Sequence, residues 1–480
     1  MKTSSCITWF NSYSGMKIRS FARCSNFYTH FIIKRTFYGQ STHVTHPHLI
    51  GPNDLTPGIS VTEYACRRAK LASSLPANSL VVLIGACLKY KTVSSFYFFH
   101  QSPNFFYLTG VNEPWTIFVM ERDNSASGFQ SYLFIRDKDP AIERWEGLRT
   151  GVEAAKTLFS IDNVYDFQEA DHILGQRMQH ASQIYVDYPL RPSIAPGKID
   201  PKISSILNKC CERLESYSTL SIAPWIHQLR EIKSPAELKL MKHAACSSAA
   251  AFNIAMQIPV TTERLLWAKL LYEFKIRDCE EAYVPVIAGG KNALIIHYTM
   301  NNMQLREGDL VLVDAGGEYG NYVTDITRTW PVNGVFSAAQ KDLYQAVLNV
   351  QKACIQLCSE KHRISLNMIH QHSVQLLKEE LKCLGFHVSY SDLDHILYPH
   401  HIGHQIGILF IIGKPLKENQ TITIEPGIYV PDLPQFPKHF RGIGIRIEDS
   451  ILVGKKEPVI LSKNAVKEIS DIEEMCNRHT

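Results

Sequence analysis

The first 40 residues of this chain contain no acidic residue, and no basic surplus remains in the residues that follow them. This start holds six basic residues, a charge of +6, whereas the formal net charge of all 480 residues is +4. They are Lys2, Lys17, Arg19, Arg23, Lys34 and Arg35. Residues 41–480 therefore carry −2, because +4 less +6 is −2. A body so close to neutral offers no basic field to a nucleic-acid backbone, so we expect no nucleic-acid partner.

A basic, acid-free start that contains Ser but no continuous apolar stretch is typical of a mitochondrial presequence rather than of a secretory signal. The first acidic residue in the chain is Asp54. We therefore assign residues 1–45 to a predicted presequence and linker, and we expect a mitochondrial location, alone or together with a cytoplasmic one. A disordered basic tail on a cytosolic protein is the alternative that composition leaves open.

Long apolar runs and paired cysteines are also missing. The longest apolar runs, such as Val81–Cys87 and Ile406–Ile412, are far shorter than the roughly 20 residues that span a bilayer, so we expect no membrane insertion. The twelve cysteines are scattered without a CxxC pair, which argues against a zinc site and favours reduced thiols. The absence of a Gly-x-Ser-x-Gly turn disfavours a serine hydrolase.

At 480 residues the chain is too long for one ordinary core, and two domains follow the presequence in the expected arrangement. Helices and strands alternate over 46–228, which predicts an α/β first domain. The run Ser234-Pro235-Ala236-Glu237 has the pattern of a capping box and starts a helix of the second domain, 229–480. Expected elements are strands at Ser79–Cys87, Ser131–Ile135, Gln183–Val186, Thr421–Glu425 and Ile445–Val453, helices at Asp200–Tyr217, Ala338–Cys358 and Ile364–Leu384, and a hairpin of Leu310–Asp314 with Tyr322–Thr327.

Four acidic residues of the second domain lie in the middle or at the end of apolar β runs: Asp314, Asp325, Glu425 and Glu448. A buried carboxylate without compensation is expensive, and the sequence shows no matching set of cations. Two divalent ions would balance the four negative charges. The pattern therefore predicts a two-metal site, and an oxygen-rich donor set with one imidazole suits Mn, Co, Zn or Fe.

The imidazole is expected from the segment Pro399-His400-His401-Ile402-Gly403-His404. A lone histidine is usually an ordinary core or surface residue. Three histidines within five residues, in the domain that holds the four acids, favour a site. The glycine before His404 would let two backbones approach closely there.

Seven further stretches of the chain form a recognisable set. They are His297-Tyr-Thr299, Asp314-Ala-Gly316, Asp325-Ile-Thr-Arg-Thr-Trp-Pro-Val-Asn-Gly334, Gly403-His404, Glu425-Pro-Gly-Ile-Tyr429, Arg441-Gly-Ile-Gly-Ile-Arg-Ile-Glu-Asp449 and, in the first domain, Gln101-Ser-Pro-Asn-Phe-Phe-Tyr-Leu-Thr-Gly110. Together these stretches resemble the pita-bread metallopeptidases of the aminopeptidase P type, and most of all their mitochondrial branch. The resemblance implies an α/β (α+β) chain with an N-terminal creatinase/aminopeptidase-P-type domain and a C-terminal pita-bread domain.

The same resemblance implies roles for individual residues. Asp314 would bind one ion, His404 and Glu425 the other, and Asp325 and Glu448 both. Glu425 would also move protons, with His297 and Arg446 as further catalytic residues. The substrate-binding residues would be Tyr283, His297, His400, Tyr429 and Phe106. The implied metals are two divalent ions, with Mn²⁺ expected, the substrate is a peptide or protein N-terminus with a preference for Xaa-Pro, and the assembly is a homodimer.

One departure from the family pattern concerns the segment after Gly407. The family places a second histidine there that donates to the carbonyl oxygen, whereas this chain has Ile411, and an aliphatic side chain cannot donate. A metal-binding pseudopeptidase is therefore an alternative. A prolidase, which acts on Xaa-Pro dipeptides, is another, and methionine aminopeptidase ranks low because it lacks a long first domain.

Overall fold

The computed structural model describes residues 38–123, 128–187, 205–206, 219–407 and 413–478. These residues belong to one compact unit, Phe37–Thr480. Residues 1–37 of the predicted presequence, the departure at Ile411 and nearly all of the helix predicted at 200–217 lie outside the described residues. Within the described residues, no helix has both the length and the apolar character that are needed to cross a membrane.

A six-stranded mixed sheet forms the centre of the first half of the chain. From edge to edge its strands are Asn163–Asp166, Phe129–Ile135, Ile117–Arg122, Ser79–Ile84, Gln183–Val186 and Thr219–Ser221. Ile117–Arg122 is antiparallel to both of its neighbours, Phe129–Ile135 and Ser79–Ile84. The other three pairs of neighbouring strands are parallel. The strand predicted at Gln183–Val186 is confirmed. The strand predicted to end at Cys87 ends at Ile84.

Helices alternate with these strands along the chain, and a short separate ladder precedes the sheet. The helices are Val61–Ser74, Pro103–Thr109, Pro140–Glu146, Gly151–Leu158 and Ala170–His180, and the ladder pairs Asp54–Thr56 with Ile59–Ser60. Ser60 caps the first helix, because its side chain accepts a hydrogen bond from the Glu63 amide. Every residue of the central strand Ser79–Ile84 is buried, which explains its continuous apolar sequence.

The second half packs helices against several short sheets. Its helices are Ala223–Glu231, Pro235–Gln257, Glu263–Lys275, Ala338–Gln356, Leu366–Cys383, Tyr390–Asp392 and Ile469–Cys476, with a π-helical turn at Leu393–Leu397. Its strands are Glu280–Glu281, Val286–Gly289, Leu310–Ala315, Gly317–Tyr319, Tyr322–Val323, Ile326–Pro331, Thr421–Ile424, Gly427–Tyr429, Gly444–Arg446, Asp449–Leu452 and Val459–Ile460. The predicted capping box is confirmed, since Ser234 and Glu237 exchange hydrogen bonds of 3.2 and 2.9 Å.

Two predicted β elements are more complex than expected. Leu310–Ala315 pairs with Ile326–Pro331, but the chain between them forms a small sheet of its own with Glu280–Glu281. The single strand predicted at Ile445–Val453 is wrong. It consists of two strands that belong to different sheets, and it divides at Ile447–Glu448.

A buried polar network joins the two halves. The Arg67 guanidinium donates to the Tyr322 hydroxyl (3.1 Å) and lies 3.6 Å from Glu237. The Tyr322 hydroxyl in turn donates to Glu237 (3.0 Å). Because Arg67 belongs to the first half and its two partners to the second, this network fixes the first half against the start of the helix Pro235–Gln257.

Candidate metal centre

The described residues of the second half enclose a cavity of about 710 Å³. Its walls combine apolar side chains with all four of the acids that the sequence singled out. The lining residues are Tyr283, Val284, Val286, Ile296, His297, Thr299, Asp314, Asp325, Leu366, His400, His401, Gly403, His404, Gln405, Glu425, Arg446 and Glu448. A cleft of this size accommodates a small molecule or a few residues of a peptide.

Strand pairing brings three of the acids together. Asp314 lies opposite Thr327 in the antiparallel ladder, and Asp325 directly precedes the strand that contains Thr327. Glu448 reaches the same strand through an isolated bridge, in which its amide donates to the Thr327 carbonyl at 3.0 Å. The Thr327 hydroxyl also donates to the Glu448 carboxylate at 2.6 Å. Thr327 therefore holds Glu448 beside the ladder that carries the other two acids.

A second backbone pairing supplies His404 and Glu425. The Thr423 amide donates to the His404 carbonyl (2.8 Å), and the Glu425 amide donates to the Ile402 carbonyl (2.7 Å). The Thr423 hydroxyl accepts from the His404 amide (2.9 Å) and donates to the Glu425 carboxylate (3.1 Å). One threonine thus fixes both residues.

Two glycines allow these close approaches. A Cβ atom at Gly403 would lie 2.0 Å from the Thr423 carbonyl oxygen, and one at Gly316 would lie 1.9 Å from the Thr324 carbonyl oxygen. No side chain fits at such distances without moving a backbone. The predicted close approach before His404 is therefore confirmed.

Two of the acids and the histidine bring their ligand atoms close together. Asp325, His404 and Glu448 each direct one potential ligand atom to a site where these atoms lie within 4.8 Å of one another. The His404 Nε2 atom is 3.4 Å from Asp325 and 3.6 Å from Glu425. Its Nδ1 atom faces the Gln405 carbonyl at 3.3 Å, so Nε2 is the nitrogen presented to the acids.

Two further side chains connect the carboxylates. The Tyr283 hydroxyl contacts Asp314 at 2.7 Å and also donates to Asp325. The Arg446 guanidinium donates to the other oxygen of Asp314 at 2.5 Å and, through Nε, to the Thr327 hydroxyl at 3.1 Å. Arg446, which the sequence also assigned to the site, is thus a buried cation that contacts one of the four acids, and the expectation that no matching set of cations accompanies them agrees with this arrangement among the described residues.

Even with Arg446, the cluster has more carboxylates than cations among the described residues, and this shifts the pKa values of its members. Burial, together with the neighbouring acids, raises the pKa of Glu425 to about 7 and that of Glu448 well above its usual range. Burial also raises the pKa of Asp314, although Arg446 opposes this. Burial alone would lower the pKa of His404, but the hydrogen bond to Asp325 and the charge of Glu425 raise it to about 9.

These residues fit a pair of divalent cations. Four carboxylates face a single contacting guanidinium within the described residues, so the cluster keeps protons that metal ions would replace. Oxygen donors with one imidazole are the set that Mn²⁺, Co²⁺, Zn²⁺ or Fe²⁺ accepts. Asp449 does not contribute, because Arg328 (2.7 Å) and Lys467 (2.6 Å) bind its carboxylate on the far side of the strand.

Comparison with known proteins identifies the chain's family. Residues 239–455 match the family described as metallopeptidase family M24, and residues 64–185 match the aminopeptidase P N-terminal domain. Intermediate cleaving peptidase 55 of Schizosaccharomyces pombe is 43% identical over 91% of this chain and 91% of its own length. Xaa-Pro aminopeptidase 3 of Homo sapiens is 36% identical over 93% of this chain and 92% of its own length.

Solved structures of this family are similar to the whole fold of the chain. The crystal structure of Icp55 from Saccharomyces cerevisiae has a TM-score of 0.81 and 38% identity, covering 89% of this chain and all of that one. Aminopeptidase P from Escherichia coli has a TM-score of 0.80 and 28% identity, and the match covers 87% of this chain and 98% of that one. The chain belongs to the aminopeptidase P group of the M24 metallopeptidases. It is a peptidase with the N-terminal domain and the pita-bread domain that the sequence predicted.

In this aminopeptidase P homologue, a chain of hydrogen bonds extends from Arg446 to the cavity wall. Arg446 donates to the Tyr429 hydroxyl (2.8 Å), which lies 2.9 Å from His400 Nε2. Burial lowers the pKa of His400 to about 3, and its Nδ1 atom faces the His401 carbonyl at 2.9 Å. A neutral His400 that donates through Nδ1 must accept the Tyr429 proton at Nε2.

The other predicted substrate residues are placed differently. His297 is exposed in the cavity wall, and its ring has no hydrogen-bond partner among the described residues. Phe106 lies outside this cavity. It is 6% exposed, packs edge-on against Tyr64, and lines a separate cavity of about 220 Å³ between the two halves. Within one chain Phe106 therefore does not reach the metal centre.

Sequence reasoning missed several residues of the aminopeptidase P centre. Thr423 was detectable, because it lies two residues before Glu425 in a strand and so shares its face. Thr327, two residues after Asp325, carries a similar signal. Leu366 and Gln405 line the cavity without any pattern that marks them. Their places depend on how distant elements pack.

Proposed function

We propose that this protein is a dinuclear-metal aminopeptidase that releases the N-terminal residue from peptides, preferentially before proline. The observation that carries the proposal is a cavity, large enough for the end of a peptide, whose lining includes four carboxylates and one imidazole, with ligand atoms of Asp325, His404 and Glu448 within 4.8 Å of one another. The proposed ligands are Asp314, Asp325, His404, Glu425 and Glu448, and Mn²⁺ is the proposed metal. Bound ions would polarise the peptide carbonyl and acidify water at the site.

The chain's own residues supply the remaining functions. Glu425 lies beside His404 in the cavity wall, where its carboxylate would accept a proton from water and pass it to the departing amine. Tyr283 holds Asp314 and Asp325 in a fixed relation through one hydroxyl. Arg446 orients Asp314 and Tyr429. His400 stays neutral and, with the exposed His297, provides imidazole contacts for the bound peptide.

The preference for Xaa-Pro rests on the relatives. Xaa-Pro aminopeptidase 3 names that bond, the Escherichia coli enzyme was solved with the inhibitor Pro-Leu, and Icp55 was solved with apstatin. The name intermediate cleaving peptidase, described as mitochondrial in Arabidopsis thaliana, supports a role in trimming proteins imported into mitochondria. The basic start of the chain agrees with that location. A homodimer, with Phe106 near the site of the second subunit, completes the proposal.

Hydrolysis of three matched peptides by the purified protein with Mn²⁺ tests this function. An Xaa-Pro-Yaa tripeptide should be cleaved faster than an Xaa-Ala-Yaa tripeptide and faster than an Xaa-Pro dipeptide. Preference for the dipeptide would identify a prolidase instead. Mn²⁺ binding without hydrolysis, reversed in the variant Ile411→His, would identify a pseudopeptidase.

A further inference from the structure

One wall of the cavity is formed by a single stretch of chain. We call residues 284–303 the wall segment. It contains the strand Val286–Gly289 and a 3-10 turn at Gly290–Leu294. It contributes five of the residues that line the cavity: Val284, Val286, Ile296, His297 and Thr299. The stretch from Ile295 to Asn302 belongs to no helix or strand, so backbone pairing does not fix it.

Glu263 holds this segment from behind. Its side chain is fully buried, and one carboxylate oxygen accepts from the Gly289 amide (3.0 Å) and from the Asn292 side chain (2.8 Å). The other oxygen accepts from the Tyr298 hydroxyl (2.9 Å) and from the Met303 amide (2.8 Å). All four donors belong to the wall segment, and they lie on both sides of His297.

The carboxylate has no cation among the described residues, so its role is not that of an ion pair. A buried carboxylate is tolerated only if hydrogen bonds satisfy it. An amide could not replace it. A glutamine has one oxygen and one NH₂ group at its end. In either orientation the NH₂ group would point at the N–H of Gly289 or of Met303, so two hydrogen-bond donors would face each other without an acceptor.

Asn301 secures the same segment at its other side. Its buried side chain accepts from the Ile287 amide (2.9 Å) and donates to the Pro285 carbonyl (2.7 Å). These bonds tie the last residues of the wall segment to its first strand. Because the His297 ring itself has no partner among the described residues, its position follows from the backbone that Glu263 and Asn301 hold.

We propose that Glu263 is a positioning residue, which fixes the wall segment so that His297 and its apolar neighbours meet the bound peptide. The inference rests on the proposed function for its consequence in substrate binding. Its structural part, the fixing of the stretch from Gly289 to Met303 by one carboxylate, stands on the four hydrogen bonds alone.

The test compares Glu263→Gln with Glu273→Gln in the full-length, Mn²⁺-loaded protein. Glu273 is a matched control, since it is also buried and lies on the same helix, but it binds Lys269 and Arg277 instead of the wall segment. Hydrogen exchange of residues 284–303 should be about tenfold faster in Glu263→Gln and unchanged in Glu273→Gln. The KM for an Xaa-Pro-Yaa peptide should rise about tenfold, with kcat changed less and Mn²⁺ stoichiometry retained.

Unchanged exchange in the wall segment of Glu263→Gln would overturn the proposal, as would a rise in exchange spread evenly over the chain. If Glu263→Gln does not fold, Tyr298→Phe removes one of the four hydrogen bonds without altering charge, and it should show the same effects at smaller size. Its control is Tyr344→Phe, whose hydroxyl donates to the Lys467 carbonyl away from the cavity. If the wild type cleaves no peptide, the proposed function fails, and the exchange measurement alone decides the role of Glu263.

Discussion

At the scale of single residues, the Tyr283 hydroxyl joins two carboxylates that repel each other. It contacts both Asp314 and Asp325, and its pKa lies well above the usual range because of burial and these charges. We predict that Tyr283→Phe weakens Mn²⁺ binding roughly tenfold or more and lowers kcat, because partners of metal ligands typically contribute 10- to 100-fold. Metal titration by calorimetry measures this. Tyr344→Phe, a buried tyrosine of the core, should bind Mn²⁺ like the wild type.

The protonation of the same cluster predicts a pH dependence. The pKa of Glu425 is raised to about 7 and that of His404 to about 9, so the folded metal-free protein holds protons that the unfolded chain has released. Stability from a raised pKa is complete below the unfolded value and is lost as the pH rises through the folded one. The Tm of the metal-free protein should therefore fall from about pH 5 to pH 9, the interval between the ordinary carboxyl and the raised histidine value.

Metal ions reverse this trend, because they replace the bound protons. The increase in Tm caused by Mn²⁺ should thus grow over the same pH interval, and binding should release protons in calorimetry with buffers of different ionisation enthalpy. Without metal, the double variant His404→Ala, Glu425→Gln should lose most of the dependence of Tm on pH. An increase in Tm that is independent of pH would contradict the charges assigned to the cluster.

At the scale of elements, the site depends on two strands that approach more closely than side chains permit. The Gly403 position would place a Cβ atom 2.0 Å from the Thr423 carbonyl oxygen. We predict that Gly403→Ala displaces His404 from Glu425 and abolishes measurable Mn²⁺ binding at micromolar metal. Gly413→Ala is the control, because its Cβ would meet no atom of the described residues within 4 Å. A Gly403→Ala protein with wild-type metal affinity would show that the backbone pairing is not required.

The elements also show what a sequence can and cannot specify. The acids were predictable because a carboxylate within an apolar strand contradicts the pattern around it, as at Asp314 and Glu425. The division of the predicted strand Ile445–Val453 into two strands was not predictable, because β-branched residues lie on both sides of the break. The hydrogen bond between Arg446 and Asp314 was not predictable either. It joins residues 132 positions apart and depends on which sheets pack against each other.

At the scale of the whole molecule, the network of Arg67, Glu237 and Tyr322 makes the two halves one folding unit. The side chains of Arg67 and Glu237 are 5% and 4% exposed, so removing Arg67 leaves a buried acid without its cation. Such a loss typically costs about 3–5 kcal/mol. We predict one calorimetric transition for the wild type. Arg67→Ala should separate it into two, with the first half unfolding at the lower temperature, because that half then loses its anchor on the helix Pro235–Gln257.

The matched control is Arg177→Ala in the same half, where the arginine side chain is 43% exposed and its guanidinium lies 3.4 Å from Glu121. A surface pair of this kind contributes at most about 1 kcal/mol, so a single transition near the wild-type Tm is expected. Adding Mn²⁺ identifies which transition belongs to which half. Mn²⁺ should raise only the upper transition of Arg67→Ala, because all five proposed ligands belong to the second half. A single transition in Arg67→Ala that shifts as a whole with Mn²⁺ would mean that apolar contacts alone couple the halves.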